Sequence, residues 1–259
     1  MDEKLKKVAL KAVKAGGSLL RKHFGKVHSI SHKGEINLVT EADRQSEEMI
    51  VGIIQEHYPD HSILAEETGD TRKSSPFKWI IDPLDGTTNY AHGYPFFCVS
   101  LAIEYHGEIW YGAVYDPLKE ELFTAEKGKG TYLNGKQIKV SSTPHLNESL
   151  LCTGFPYDVR NDIESTILPF RNFLMKAQAV RRDGSAALDL CYIAAGRFDG
   201  FWEQRLSPWD VAAGGLLITE AGGTLSNFKG EPFCIYDKEI VASNGKIHSQ
   251  MIEVLGIKS

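Results

Sequence analysis

The residues best suited to chemistry lie in one string, Trp79-Ile80-Ile81-Asp82-Pro83-Leu84-Asp85-Gly86-Thr87-Thr88-Asn89. Asp82 and Asp85 stand three apart across a turn, so both carboxylates can converge on one point. Converging carboxylates repel one another unless they share a proton or surround a cation. Hard cations such as Mg²⁺ take oxygen ligands, commonly one or two carboxylates together with a substrate phosphate. Gly86 lets the backbone turn sharply or approach a ligand closely. Thr87, Thr88 and Asn89 add hydroxyls, an amide and backbone N–H groups suited to an anion beside that cation. The bland alternative is a polar turn in which both aspartates cap backbone groups. For Asp-x-x-Asp-Gly alone, that alternative is the better one.

Other candidates are weaker taken singly. Asp210, in Pro208-Trp209-Asp210-Val211, reads as an N-cap or first-turn acid of a helix, where negative charge is favourable. Gly184-Ser185 opens another helix whose first N–H groups and Ser185 hydroxyl could meet a polar ligand, or could form a simple cap. Glu203 ends an apolar strand and is otherwise a surface glutamate beside Arg205. Glu66 and Glu67 sit at a strand end, a solvated corner by default. Asp43 follows Thr40 by three residues in a capping-box-like arrangement.

Asp82-Pro83-Leu84-Asp85-Gly86-Thr87 resembles the signature of the lithium-sensitive, Mg²⁺-dependent sugar phosphatases, and within them the chain is similar to the inositol monophosphatases of bacterial and archaeal type. The resemblance spans nearly the whole chain, with Pro208–Gly214 as its second strong piece. It implies a layered α-β-α-β-α sandwich and hydrolysis of inositol monophosphate by a metal-activated water that displaces the inositol oxygen in line, without a covalent intermediate. It implies two or three Mg²⁺ held by Glu66, Asp82, the backbone carbonyl of Leu84, Asp85 and Asp210. Thr87, with Glu66 or Asp43, would orient the water, and the N–H groups of Gly86 and Thr87 would hold phosphate oxygens. Gly184, Ser185, Glu203 and Asp210 would line the substrate side, Glu203 accepting from polyol hydroxyls. Lithium sensitivity and a homodimer are likewise implied by the resemblance. The segment 205–208 departs from the animal enzymes. Related enzymes also place a mobile lysine near Lys33, whose alternative here is an exposed surface position.

Two rivals stay open. Fructose-1,6-bisphosphatase shares the Asp-Pro-Leu-Asp-Gly core, and Arg181, Arg182 and Arg205 are available cations for a second phosphate, as in a dual-specificity enzyme. A regulatory partner of the transcription machinery, beside or instead of catalysis, is the rival from another class.

The elements that must position these residues follow from periodicity. Apolar residues from Leu5 to Phe24 recur at helical spacing, with Gly16-Gly17 either weakening that helix or allowing a close crossing. Residues 28–37 read as a loop or loose hairpin, residues 38–43 open a second helix, and 62–65 form a short strand. Residues 69–76 read as a surface loop. Trp79-Ile80-Ile81 is a buried strand ending at Asp82, where Pro83 stops pairing. Segments 96–104, 109–115, 121–125 and 130–140, the last turning at Asn134-Gly135, predict consecutive antiparallel strands. From Ser149 the pattern alternates strand and helix: strands at 150–153, 179–182, 198–203 and 240–243, and helices at 163–176 (broken at Pro169), 185–195, 209–221 and 246–255. The expectation is an α+β half, 1–145, carrying most metal ligands, and an α/β half, 146–259, carrying the polyol-binding residues and the last metal ligand.

Composition sets the outer bounds. The chain has 259 residues, 42% hydrophobic and 24% charged, enough for a sizeable core. A net charge of −5 gives no basis for direct nucleic-acid binding or a membrane surface. A charged start with no long apolar run argues against a signal peptide or membrane span. Four widely spaced cysteines without a Cys-x-x-Cys pair point to reduced, mostly buried thiols in a cytoplasmic protein. No His-Glu-x-x-His pattern supports a zinc hydrolase.

Overall fold

The computed structural model describes residues 2–26, 30–32 and 38–257. Lys33 and the side chain of Thr40 fall outside what is described. Helix α1 (Glu3–His23) is capped by the Asp2 carboxylate, which accepts from the Lys4 N–H at 3.0 Å. Its buried stripe from Leu5 to Leu20 packs with α2 (Glu41–His57). Gly16 and Gly17 provide the close crossing: a Cβ on Gly16 would meet Ile50 and Ser46 of α2, and one on Gly17 would meet the Tyr115 ring. Between these helices β1 (Ile30–His32) pairs antiparallel with β2 (Leu38–Thr40). Residues 38–40, expected to open α2, are therefore strand, as two adjacent β-branched residues favour.

An eight-stranded sheet follows from β3 (Ser62–Ala65), β4 (Gly69–Thr71), β5 (Phe77–Asp85), β6 (Cys98–Tyr105), β7 (Glu108–Asp116), β8 (Glu121–Glu126), β9 (Thr131–Leu133) and β10 (Lys136–Ile138). Its order is β10-β9-β8-β7-β6-β5-β3-β4, antiparallel throughout except for the parallel pair β3/β5. Asn134 and Gly135 both take positive φ, the turn that lets β9 and β10 pair without splaying. The five-stranded sheet uses β11 (Leu150–Thr153), β12 (Ala179–Arg181), β13 (Gly200–Gln204), β14 (Thr224–Ser226) and β15 (Glu239–Ser243), in the order β12-β11-β13-β15-β14. Its first three strands are parallel and its last three antiparallel.

Alternation along β5 assigns the layers. Trp79 and Ile81 face α1 and α2, whereas Ile80 faces the opposite side. That side is covered by α5 (Ala186–Ala194) and α6 (Pro208–Glu220), which also bury Phe201, Ile240 and Ala242 of the second sheet. Helices α4 (Glu164–Leu174) and α7 (His248–Leu255) cover the outer face of that sheet around Phe173, Trp202 and Met251. The result is the expected α-β-α-β-α sandwich. Being packed between two sheets, α5 and α6 are apolar nearly all round.

Several local expectations are corrected. Strand β5 does not end at Asp82. Pairing with β6 is interrupted and resumes at Asp85, so Pro83 sits in an irregularity where no ladder donor is required. Residues 69–71 are strand β4, folded back on β3, rather than loop. Pro169 does not break α4: the Ser165 carbonyl that a residue-169 N–H would have met accepts instead from the Gln204 side chain at 3.0 Å. Short helix α3 (Thr87–Ala91) and strand β14 carry no clear periodic signal. Cys98, Cys152 and Cys191 are buried free thiols and Cys234 is exposed. No helix among the described residues is long and apolar enough to cross a membrane.

Gly214 of α6 gives a direct test of the central layer, since a Cβ there would lie 2.7 Å from the Leu190 Cβ of α5. Alanine for glycine inside a helix ordinarily stabilises. Here Gly214→Ala is expected to destabilise by about 1–3 kcal/mol through overpacking, read as a lower urea midpoint.

Candidate active site

Four elements converge on one corner of the sandwich. The C-terminal end of β3 supplies Glu66, the irregular end of β5 supplies Asp82 and Asp85, the start of α5 supplies Ser185, and the start of α6 supplies Asp210. Oxygens of Asp82, Asp85 and Asp210 lie within 4.8 Å of one another. Asp82 is 2% exposed, with one oxygen accepting from the Leu84 N–H at 3.0 Å. Gly86 holds φ +96°, and a Cβ there would strike the Phe96 carbonyl at 2.9 Å, so glycine is required on both counts.

Much of the support was not anticipated. Asp43, Ser46, Glu47 and Ile50 share one face of α2 and are all buried. The Ser46 hydroxyl donates to the Pro83 carbonyl at 2.9 Å, steadying the interruption in β5. The Glu47 carboxylate accepts from the Glu67 and Thr68 N–H groups, both at 2.9 Å, and so fixes the turn that carries Glu66. Asn89 ties the halves together, its amide donating to the carbonyls of Phe96 and Asp183 at 2.8 Å. The signal for Ser46 and Glu47 was a polar pair set among the apolar positions of a helix stripe.

Some candidate residues are engaged differently from expectation. One Asp85 oxygen accepts from the Ser185 hydroxyl and the Ala187 N–H, both at 2.7 Å, so Asp85 caps α5 and takes donors assigned to a ligand. Gly184 remains on the cavity wall. Thr87 donates to the Leu84 carbonyl at 3.0 Å, leaving that oxygen its second lone pair. Asp210 closes a capping box with Ser207, accepting from its N–H at 2.6 Å. Glu203 is not a surface residue beside Arg205. It is 8% exposed, its carboxylate lying where a side chain on Gly154 would be, while Arg205 pairs with Asp158 at 2.8 Å.

These positions open on a cavity of about 270 Å³. Glu66, Asp85 and Asp210 line one end, and Glu203, Asp189 and Arg182 line the remainder. Burial drives the acids upward. Asp82 is held well above the usual carboxylate range by loss of hydration, then by the charges of Glu66, Asp85, Asp210 and Asp43. Asp210 is likewise raised well above the usual carboxylate range, by burial and then by the charges of Asp85 and Glu66. Asp85 rises only to about 6, since the donors from α5 offset its burial. Glu203 is pushed up to about 8 by burial and Asp210, with Arg182 opposing.

A buried knot of hard oxygen donors, protonated only for want of positive charge, fits a divalent cation. A small polar cavity beside it suits a compact phosphorylated substrate, and the sandwich that builds it is that of metal-dependent phosphatases. The sequence profile of the inositol monophosphatase family matches residues 1–257, and the chain belongs to that family of phosphoric monoester hydrolases. It is 45% identical over 250 residues to an inositol-1-monophosphatase of Synechocystis sp., covering 96% of this chain and 87% of that one. It is 40% identical over 255 residues to the Nus factor SuhB of Pseudomonas aeruginosa, covering 96% and 94%. The crystal structure of the extragenic suppressor protein suhB of Bartonella henselae superposes with a TM-score of 0.94 at 37% identity, covering 98% of this chain and 100% of that one.

The raised acids fix a pH dependence for the metal-free protein. The native state holds protons that the unfolded chain releases near the ordinary carboxylate pKa, so stability is greatest at low pH. It declines as pH rises through the folded values, about 6 for Asp85, with Asp82 and Asp210 also raised well above the ordinary carboxylate range. In chelator, the thermal midpoint is expected to fall between pH 5 and 8, and Asp82→Asn to raise it at pH 8. Added Mg²⁺ is expected to raise the wild-type midpoint most at pH 8 and to lose that effect in Asp82→Asn.

Proposed function

We propose that the protein hydrolyses inositol monophosphate, using Mg²⁺ held by Glu66, Asp82, the Leu84 carbonyl, Asp85 and Asp210. The observation that carries the reading is the convergence of Asp82, Asp85 and Asp210 within 4.8 Å beside a polar cavity that Asp85 and Asp210 line. Divalent cations bound there supply Lewis-acid chemistry, acidifying a water and offsetting the charge of the phosphate. The residues do the rest. Asp82, set between the other two carboxylates, holds the cluster together, and its Leu84 N–H contact fixes its orientation. Thr87, together with Glu66 or Asp43, orients the attacking water. The N–H groups of Gly86 and Thr87 bind phosphate oxygens, and Gly184 and Ser185 border the ester. Glu203, buried and carrying a proton below about pH 8, can both accept from and donate to polyol hydroxyls.

Two further readings have specific support. Arg182 lines the cavity and its guanidinium lies over the Phe155 ring at 5.4 Å, which favours a sugar bisphosphate as an additional substrate. Arg205 is matched by Asp158 and Asp162, and Arg181 lies on exposed edge strand β12, so neither serves that role as well. Similarity to a Nus factor favours a second, binding role alongside hydrolysis, so the absence of a nucleic-acid partner is not carried forward.

The test is phosphate release from myo-inositol 1-phosphate and from fructose 1,6-bisphosphate, with and without Mg²⁺ and lithium. Mg²⁺-dependent, lithium-sensitive turnover of the inositol ester is expected. No turnover of either ester by folded protein would contradict the reading. Glu203→Gln is expected to raise KM for the inositol ester about tenfold, a change near 1.4 kcal/mol, without altering Mg²⁺ affinity. An unchanged KM would remove Glu203 from the substrate.

A further inference from the structure

The cavity wall facing the acidic cluster is the segment 154–157, which follows β11. It is firmly anchored. Phe155 packs edge-on against Phe170 of α4, with ring centres 5.5 Å apart, and carries the Arg182 guanidinium. Pro156 is buried. Tyr157, the next residue, is 50% exposed and belongs to none of the apolar clusters. Surface tyrosines ordinarily bury the ring and leave the hydroxyl wet. Tyr157 instead lines the cavity together with Glu66, Asp85, Asp210 and Thr88, and so brings a phenol hydroxyl to that wall.

We propose that the Tyr157 hydroxyl is a phosphate-binding donor, delivered from the C-terminal half to the acidic end of the cavity. The assignment rests on the phosphatase reading above and extends it to a residue outside the sequence motifs. Beyond the Gly86 and Thr87 N–H groups and the Thr88 hydroxyl, that end of the cavity is rich in acceptors and short of donors. The carboxylates of Glu66, Asp85 and Asp210 only accept when ionised. The Ser185 hydroxyl and Ala187 N–H are committed to Asp85. Arg182 acts on Glu203 and Asp189, toward the polyol end. A phosphate seated against cations at the cluster still presents oxygens toward the 154–157 segment, where Tyr157 overhangs. Burial and the neighbouring Asp85, Glu66 and Asp210 charges hold the phenol protonated, so it remains a donor across the working pH range. A hydrogen bond from that hydroxyl to a phosphate oxygen is charge-assisted, so the contact is strong only when phosphate is present.

Tyr157→Phe keeps the ring and removes the donor. With the full chain in Mg²⁺, three quantities are measured: kinetics on myo-inositol 1-phosphate, the calorimetric Kd for inorganic phosphate, and the thermal midpoint. The proposal predicts a fall in kcat/KM of about tenfold and a similar rise in phosphate Kd, with an unchanged midpoint. Unchanged kcat/KM and Kd would overturn it. A higher KM for the ester with an unchanged phosphate Kd would also overturn it, because the hydroxyl would then be reading the polyol. Wild-type protein that turned over no ester yet bound phosphate in a Tyr157-dependent way would sink the enzymatic reading and leave the donor assignment standing. Failure of wild-type protein to bind phosphate at all would overturn both.

Discussion

The structure is organised around a repulsion. Asp82, Asp85 and Asp210 place oxygens within 4.8 Å of one another in a setting that strips them of water, with Glu66 and Asp43 adding charge from either side. Left alone, such a cluster would push its strands and helices apart or fill with protons. The surrounding elements are built to resist the first outcome. Ser46 holds the Pro83 carbonyl, Glu47 holds the turn carrying Glu66, and capping interactions at α5 and α6 fix Asp85 and Asp210. Each restraint is a hydrogen bond that a shifted backbone would break. The scaffold therefore holds the carboxyls together, and the charge is relieved by protons that a cation can displace.

That arrangement explains why the two halves of the chain cannot be treated separately. Three of the acids lie at strand ends of the first sheet, but Asp210 and Ser185 arrive on α6 and α5. Those helices form the middle layer and are packed against both sheets. Their fit depends on small residues: Gly112 under Ala213, and Gly214 against Leu190. A displacement of the middle layer would move Asp210 relative to Asp82, so packing far from the cavity sets the geometry of the cluster. Asn89 reinforces the same junction by joining the first half to the Asp183-Gly184 backbone.

Much of this was legible in the sequence. The central string and Pro208–Gly214, singled out far apart in the chain, meet at one corner of the molecule, and periodicity placed most helices and strands. What was not legible depended on partners distant in the chain. Pro169 reads as a helix breaker until Gln204 is seen to satisfy the freed carbonyl. Pro83 reads as a strand end until the pairing with β6 is seen to resume at Asp85. Ser46 and Glu47 interrupt the apolar stripe of α2, but nothing local shows that their partners are Pro83 and the Glu67–Thr68 turn. Ser185 looks free to bind a ligand because Asp85, which it meets, lies a hundred residues away.

Whether a cation displaces protons from the acidic cluster is read by calorimetric titration of the metal-free protein with Mg²⁺ at pH 7. Repeating the titration in buffers of different ionisation enthalpy counts the protons exchanged on binding. Saturable binding with release of about one proton or more is expected, since burial and mutual charge raise both Asp82 and Asp210. Absence of saturable binding, or binding whose heat is the same in every buffer, would contradict that expectation.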